Sequence, residues 1–219
     1  MKVYCFLGPV KGKARREEES LIALWKHSWA SHGWEPIVLT PESMRMDDQT
    51  KSRLKKYARL PSRNKPRLDM WCYARWVAVA QQGGGFMSDY DVMNHGFYPR
   101  QFGELICHGG TVPCLVSGSA DQYYRVISWF DDLKERSVWR FWEKQPHISD
   151  MLVIVQKQRE ITTAQDCINY SEPGWEKSLA VHYSNFVMNP KGYTPRHEWI
   201  PKICTSPLLG PGGSANTSP

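Results

Sequence analysis

A chain of 219 residues with 41% apolar content can bury a sizeable core, and nothing in its composition calls for a second domain. Its 28 Lys and Arg against 22 Asp and Glu, a formal net charge of +6, favour anionic partners such as nucleoside diphosphates, nucleic acid or anionic glycans. The six cysteines lack CxxC spacing and read as reduced thiols, MKVYCFLGPV is too short an apolar run for a signal peptide, and no window reaches the length of a membrane span. The expectation is a cytoplasmic protein with no integral membrane span.

In chain order, Val3 to Leu7 reads as a short buried strand closed by Gly8 and Pro9. Glu17 to Ser31 reads as a helix with Leu21, Leu24, Trp25 and Ser28 on one stripe, ended by Gly33, and Pro36 to Leu39 as a second strand. Strand, helix, strand with short links is a βαβ unit, so the two strands are expected to be parallel. Ligands of open α/β sheets sit beyond the carboxyl ends of strands, which here is the loop from Gly8 to Arg16. Its Lys11, Lys13, Arg15 and Arg16 form a candidate wall for a nucleotide. Thr50 to Leu60 follows as a short basic helix with a solvated face.

Pro66 to Val92, PRLDMWCYARWVAVAQQGGGFMSDYDV, organises the rest: an apolar helix, a triple-glycine turn and a strand ending in two aspartates. Asn64 suits an N-cap, Pro66 the first turn, and Gly83, Gly84 and Gly85 the end of the helix. In an extended backbone Asp89 and Asp91 point to one side, about 6.5–7 Å apart, and Tyr90 to the other. Two carboxylates so placed repel unless a cation lies beside them, and hard oxygen ligands suit Mg²⁺ or Mn²⁺, which keep positions open for water and diphosphate oxygens. Arg75 shares a stripe with Leu68, Trp71, Cys72 and Val79, so its buried guanidinium needs a carboxylate of the site or backbone carbonyls as partner.

Downstream, Asn94, His95, Gly96 and Pro99 read as a loop, and Thr111 to Ser117 as a strand. Residues 120 to 159 are helical by pattern and rich in aromatics. Most of these are expected in the core, with Tyr123 and Tyr124 the candidates for touching substrate. Ser149 or Asp150 can cap the helix Met151 to Gln158; Asp150 is also a candidate carboxylate base, needed if the reaction inverts a sugar centre. Ile161 to Ile168 and Leu179 to Tyr183 read as strands around the turn Glu172, Pro173, Gly174. Lys191 and Gly192 form a turn able to close over a diphosphate, His197 in PRHEWIP belongs to a surface helix, and residues 205–219 have the composition of a flexible tail.

Taken together, Arg75 on its helix, the turn Gly83–Gly85 and the run Met87, Ser88, Asp89, Tyr90, Asp91, Val92 resemble the glycosyltransferases of the GT-A fold that carry a DxD motif. Their sugar-binding region reads as an arginine-bearing helix followed by GGxYxDxD. This chain has one glycine more, and Trp71 and Cys72 where those enzymes carry Ser-Asp before the arginine, with Asp69 one turn earlier as the candidate substitute. The resemblance implies an α/β fold: one Rossmann-like GT-A domain over residues 1–204, with a central, mostly parallel sheet flanked by helices. It implies transfer of a sugar from a nucleotide diphosphate sugar donor to a hydroxyl of a glycan or glycoconjugate, with Mn²⁺ or Mg²⁺ bridging the phosphates. Asp91 is then the direct metal ligand, Asp89 binds through water or holds donor hydroxyls, and His182 completes the metal site. Gly8, Lys11, Arg75, Asp89 and Lys191 are the donor-binding candidates, and Asp89, Asp91 and Asp150 the catalytic ones. A metal-dependent phosphodiesterase or nuclease, or a nucleic-acid-binding domain, is the alternative; the first needs more clustered carboxylates, and no RNP, KH or helix-turn-helix pattern supports the second.

Overall fold

The computed structural model describes residues 1–9, 13–62, 68–99, 103–133, 147–184 and 196–204. Strand β1 (Lys2–Phe6), helix α1 (Lys13–Ala30) and strand β2 (Glu35–Leu39) form the expected crossover, with Val3 paired to Pro36 in parallel register. Gly33, at φ +78°, ends the helical segment before Trp34 turns back. Helix α1 starts earlier than the apolar stripe suggests, so Lys13, Arg15 and Arg16 belong to its first turns instead of a loop; Lys11 lies outside the described residues.

Helices α2 (Asp48–Tyr57) and α3 (Leu68–Gln81) lead to β3 (Gly84–Ser88), which joins the other edge of β1 in parallel. The cap expected at Asn64 and Pro66 falls outside the described residues. Strand β3 begins inside the glycine run, two residues before the sequence pattern places it. Gly84 has φ +84°, and a Cβ there would lie 2.6 Å from Gly118 O, Ala120 N and the Ser119 carbonyl carbon, because β6 presses its backbone against this point.

After β4 (Val92–Asn94) comes a hairpin of β5 (Ile106–Gly109) and β6 (Val112–Ser119), of which only the second strand is legible in the sequence. Helices α4 (Ala120–Asp131) and α5 (Asp150–Gln156), strands β7 (Thr162–Thr163), β8 (Cys167–Asn169) and β9 (Ala180–His182), and helix α6 (Arg196–Cys204) complete the described chain. The main sheet has the order β2-β1-β3-β6-β5-β7, and only β6 runs against its neighbours, while β4, β9 and β8 form a second small sheet. The fold is therefore α/β with a mostly parallel central sheet between helices. No helix among the described residues is long and apolar enough to cross a membrane.

Alternation along the strands divides the interior. Tyr4, Phe6, Met87 and Val116 face α2 to α5, whereas Val3, Cys5, Phe86 and Leu115 face α1 and the small sheet. A strand buried on both faces is the signature of a parallel sheet covered by helices. Tyr123 belongs to the first of these layers: it is fully buried and donates to Gly85 O and Val116 O, so it is a core residue and not a substrate contact. Tyr124 packs against the same layer.

The glycine crossing gives a direct check of this packing. Gly84→Ala should lower the unfolding free energy by about 2–4 kcal/mol, combining left-handed strain with overpacking. Gly33→Ala, at positive φ but with nothing within 4 Å, should cost only about 1–2 kcal/mol. Urea denaturation of the two variants measures the difference.

Candidate functional site

Asp89, Tyr90 and Asp91 occupy the turn between β3 and β4, not the end of an extended strand. The amide of Val92 donates back to Asp89 O at 3.1 Å, which closes the turn, and Asp89 N is pinned to Cys114 O at 2.7 Å. The same-sided placement expected for the aspartates therefore comes from a turn. Helix α1 grips both ends of it. Trp25 Nε1 donates to Ser88 Oγ at 3.2 Å and Trp29 Nε1 to Val92 O at 3.0 Å, two fully buried indoles at helical i, i+4 spacing.

His182 reaches the turn through strand register. It is the last residue of β9 and stands opposite Val92 of β4, so pairing of these strands carries it beside Asp91, and Tyr183 N fixes the arrangement by donating to Asp91 O at 2.8 Å. His182 Nε2 lies 3.3 Å from Asp91 Oδ1 and 4.0 Å from Asp89 Oδ2. One ligand atom from each of the three residues falls within 4.8 Å of the others. Two carboxylate oxygens and an imidazole nitrogen converging in this way are a donor set that could hold a divalent metal ion.

The remaining oxygen of each aspartate is held by an arginine. Arg75 Nη1 donates to Asp89 Oδ1, and Arg196 Nη1, from α6, donates to Asp91 Oδ2. Burial opposes charge on Asp91, but His182 and Arg196 hold its carboxyl down at about 2. Asp89 is pushed up to about 7 by burial and by the charge of Asp91, against the pull of Arg75 and His182. His182 is held well above its ordinary range, although burial opposes this, because Asp91 and Cys114 lie against it. Among the described residues, Arg75, Arg196 and His182 are drawn to the two acids, and a divalent ion would take over the part played by a proton on the imidazole.

Arg75 has a second partner. Its Nε and Nη2 donate to Asp150 Oδ2 at 3.1 and 2.6 Å, Trp76 Nε1 donates to the same oxygen at 3.1 Å, and Met151 N donates to Oδ1 at 2.8 Å. Ser149 is the N-cap of α5, leaving Asp150 as its first residue. Asp150 is thus engaged on both oxygens and holds Arg75 through two of its nitrogens. Asp69, the candidate substitute for the Ser-Asp pair that precedes the arginine in GT-A enzymes, accepts from Ser62 Oγ and has His147 Nδ1 at 3.6 Å.

Arg75, Asp89, Asp91 and Asp150 open on a cleft of about 350 Å³ beyond the carboxyl ends of β1 and β3, lined also by Phe6, Leu7, Gly8 and Trp71. Trp71 stacks on Phe6 with centroids 6.0 Å apart. A Cβ at Gly8 would stand 3.0 Å from the Trp71 indole, so glycine there keeps the cleft floor open. Lys191 lies outside the described residues, and His197 lies in α6. Sequence reasoning misses Arg196, which sits within the PRHEWIP segment read as a surface helix; a contact spanning 105 residues leaves no local signature.

No protein-family model matches the chain, and no curated protein matches it in sequence. Its fold does have solved counterparts. One, described as a glycosyltransferase involved in the glycosylation of the major capsid of PBCV-1, is 11% identical, with 92% of this chain and 100% of that one covered and a TM-score of 0.49. Another, an active-site mutant of LgtC, is 9% identical, with 93% and 95% covered and a TM-score of 0.51. The LgtC likeness shows the fold, which is that of the GT-A glycosyltransferases.

His95, the other histidine near the turn, is directed away from the triad. Its Nε2 lies 3.3 Å from the Tyr183 hydroxyl, and burial holds its pKa down at about 4. It stays neutral in the fold but protonates in the unfolded chain near 6.5, so it withdraws stability as the pH falls from about 6.5 to 4. His95→Gln should therefore remove roughly 2 kcal/mol of the stability difference between pH 7 and pH 5. Urea melts at the two pH values provide the comparison.

Proposed function

We propose that the protein is a metal-dependent glycosyltransferase that moves a sugar from a nucleotide diphosphate sugar to a hydroxyl of a glycan or glycoconjugate acceptor. The observation that carries this reading is the convergence of Asp89, Asp91 and His182 beside a cleft at the carboxyl ends of β1 and β3, within a GT-A fold. Mn²⁺ or Mg²⁺ held there would neutralise the charge that develops on the leaving diphosphate. The rest of the work falls to the chain itself.

Asp91 and His182 supply direct ligands in this reading, and Asp89 a third, either directly or through water. Arg75 keeps Asp89 turned inward, and Asp150 keeps Arg75 in place, so Asp150 serves the site by positioning. Gly8 lets the donor approach the backbone at the end of β1, beside the stacked Phe6 and Trp71. Lys11 and Lys191, outside the described residues, are the basic candidates for binding the donor phosphates. Two-metal hydrolysis is less well supported, since the described residues offer one ligand triad.

Asp91→Asn keeps shape and removes a charge. Turnover should fall by more than the roughly 10–100-fold that loss of an outer partner of a metal ligand costs, with the fold retained in thermal melts. An Asp91→Asn protein that remains active and responsive to Mn²⁺ would contradict the assignment. His182→Ala should weaken binding of Mn²⁺ and of nucleoside diphosphate together, because both share one coordination sphere, whereas His95→Ala should weaken neither; calorimetric titration measures both. The donor is found by screening nucleotide sugars for thermal stabilisation with Mn²⁺, since a ligand of the folded state alone raises the melting temperature. Failure of every nucleotide sugar and nucleoside diphosphate to shift it would sink the transferase reading.

A further inference from the structure

The two metal-ligand aspartates are not equivalent in how their charge is met. Arg75 is shared between Asp89 and Asp150, with three of its nitrogen contacts divided between them. Arg196 also donates to the Tyr183 carbonyl at 3.4 Å, and among the described residues Asp91 is the carboxylate to which it donates. Both side chains of the Arg196–Asp91 pair are 13% exposed, so solvent screens the contact poorly. Glu18 of α1, whose carboxyl burial pushes above its ordinary range, lies near Arg196 and near Tyr90, the residue between the two aspartates.

A divalent ion seated against Asp91 Oδ1 and His182 Nε2 would stand a few ångströms from this guanidinium. Two effects then oppose each other. Arg196 helps the ion by fixing the aspartate rotamer, and it hinders the ion by repulsion between like charges. In a poorly screened site, the repulsion of a unit charge by a divalent ion at that range exceeds the rotamer freedom of one short side chain. An accompanying diphosphate reverses the balance, because its negative oxygens on the ion offset the repulsion.

Resting on the metal site proposed above, we propose that Arg196 sets the ligand selectivity of the triad, making it hold a bare divalent ion weakly and a metal–diphosphate pair tightly. Arg196 is in this sense a specificity-determining residue delivered by the C-terminal helix α6, which packs on α1. Selectivity of this kind keeps the site from filling with metal in the absence of donor.

The test is calorimetric titration of Mn²⁺ into the wild type, Arg196→Gln and Arg196→Lys, each without nucleotide and with saturating uridine or guanosine diphosphate in separate runs. Arg196→Gln should bind Mn²⁺ alone at least tenfold more tightly than the wild type. The gain in Mn²⁺ affinity on adding diphosphate should be at least tenfold smaller in that variant. Arg196→Lys, which keeps the charge, should stay close to the wild type for Mn²⁺ alone. Thermal melts of the metal-free proteins control for folding, and Arg196→Met, which keeps the packing of the side-chain stem, replaces the Gln variant if that one unfolds. Equal or weaker binding of bare Mn²⁺ by the charge-removing variant, with the wild type still binding Mn²⁺ and diphosphate, would overturn this proposal and leave the metal site standing. No Mn²⁺ binding by the wild type under either condition would overturn both.

Discussion

Two carboxylates in one three-residue turn impose the constraint on which the rest of the site depends. Unit charges about 4–5 Å apart near a protein surface repel by roughly 3–4 kcal/mol, and burial adds the loss of hydration. The turn persists because the surrounding chain supplies compensating cations from three separate elements: Arg75 from α3, His182 from β9 and Arg196 from α6. Each of those elements is placed by packing that has no other link to the charges. Helix α3 lies against the sheet through Tyr73, Ala74 and Val77, β9 pairs with β4, and α6 lies on α1. A fold that assembles three cations around two acids leaves inward-facing oxygens beside an imidazole, a set of donors that could hold a divalent metal ion.

The indoles of α1 give this arrangement its stiffness. Trp25 and Trp29 are fully buried, and their N–H groups are used on either side of the acidic turn. Trp34 and Phe97 continue the cluster beneath it, with Trp29 and Trp34 ring centroids 4.9 Å apart. Aromatic contacts of this type add about 0.5–1.5 kcal/mol beyond the area they bury. The turn is thus seated on a large apolar cluster, and its carboxylates are presented by a rigid base.

Much of this was legible in the sequence where the signal is local. The βαβ start followed from two short apolar runs around an amphipathic helix, and the acidic pair from a glycine turn after an apolar helix. His182 could be placed because the strand from Leu179 to Tyr183 is apolar and bounded by turns, and the resemblance to GT-A enzymes gave it a role. The failures share a physical origin. Strand β5, reading ICHG, is too short to show a period. Tyr123 follows a strand end, which suggested the cleft, but it points into the layer between α3 and α4. Arg75 does meet a carboxylate of the site in Asp89, as its burial suggested, but its second partner Asp150 stands 75 residues away and the Arg196 that holds Asp91 stands 105 away; neither separation leaves a trace in spacing or periodicity.

The central claim is that Asp89, Asp91 and His182 form one metal site that a diphosphate shares. Anomalous diffraction at the manganese edge, from crystals grown with Mn²⁺ and a nucleoside diphosphate, tests it most directly. The account predicts one peak beside the turn, at about 2.0–2.2 Å from an Asp91 oxygen and from His182 Nε2, with diphosphate oxygens completing the shell. A peak that touches neither residue, or diphosphate bound in the cleft with no metal against Asp91, would contradict it.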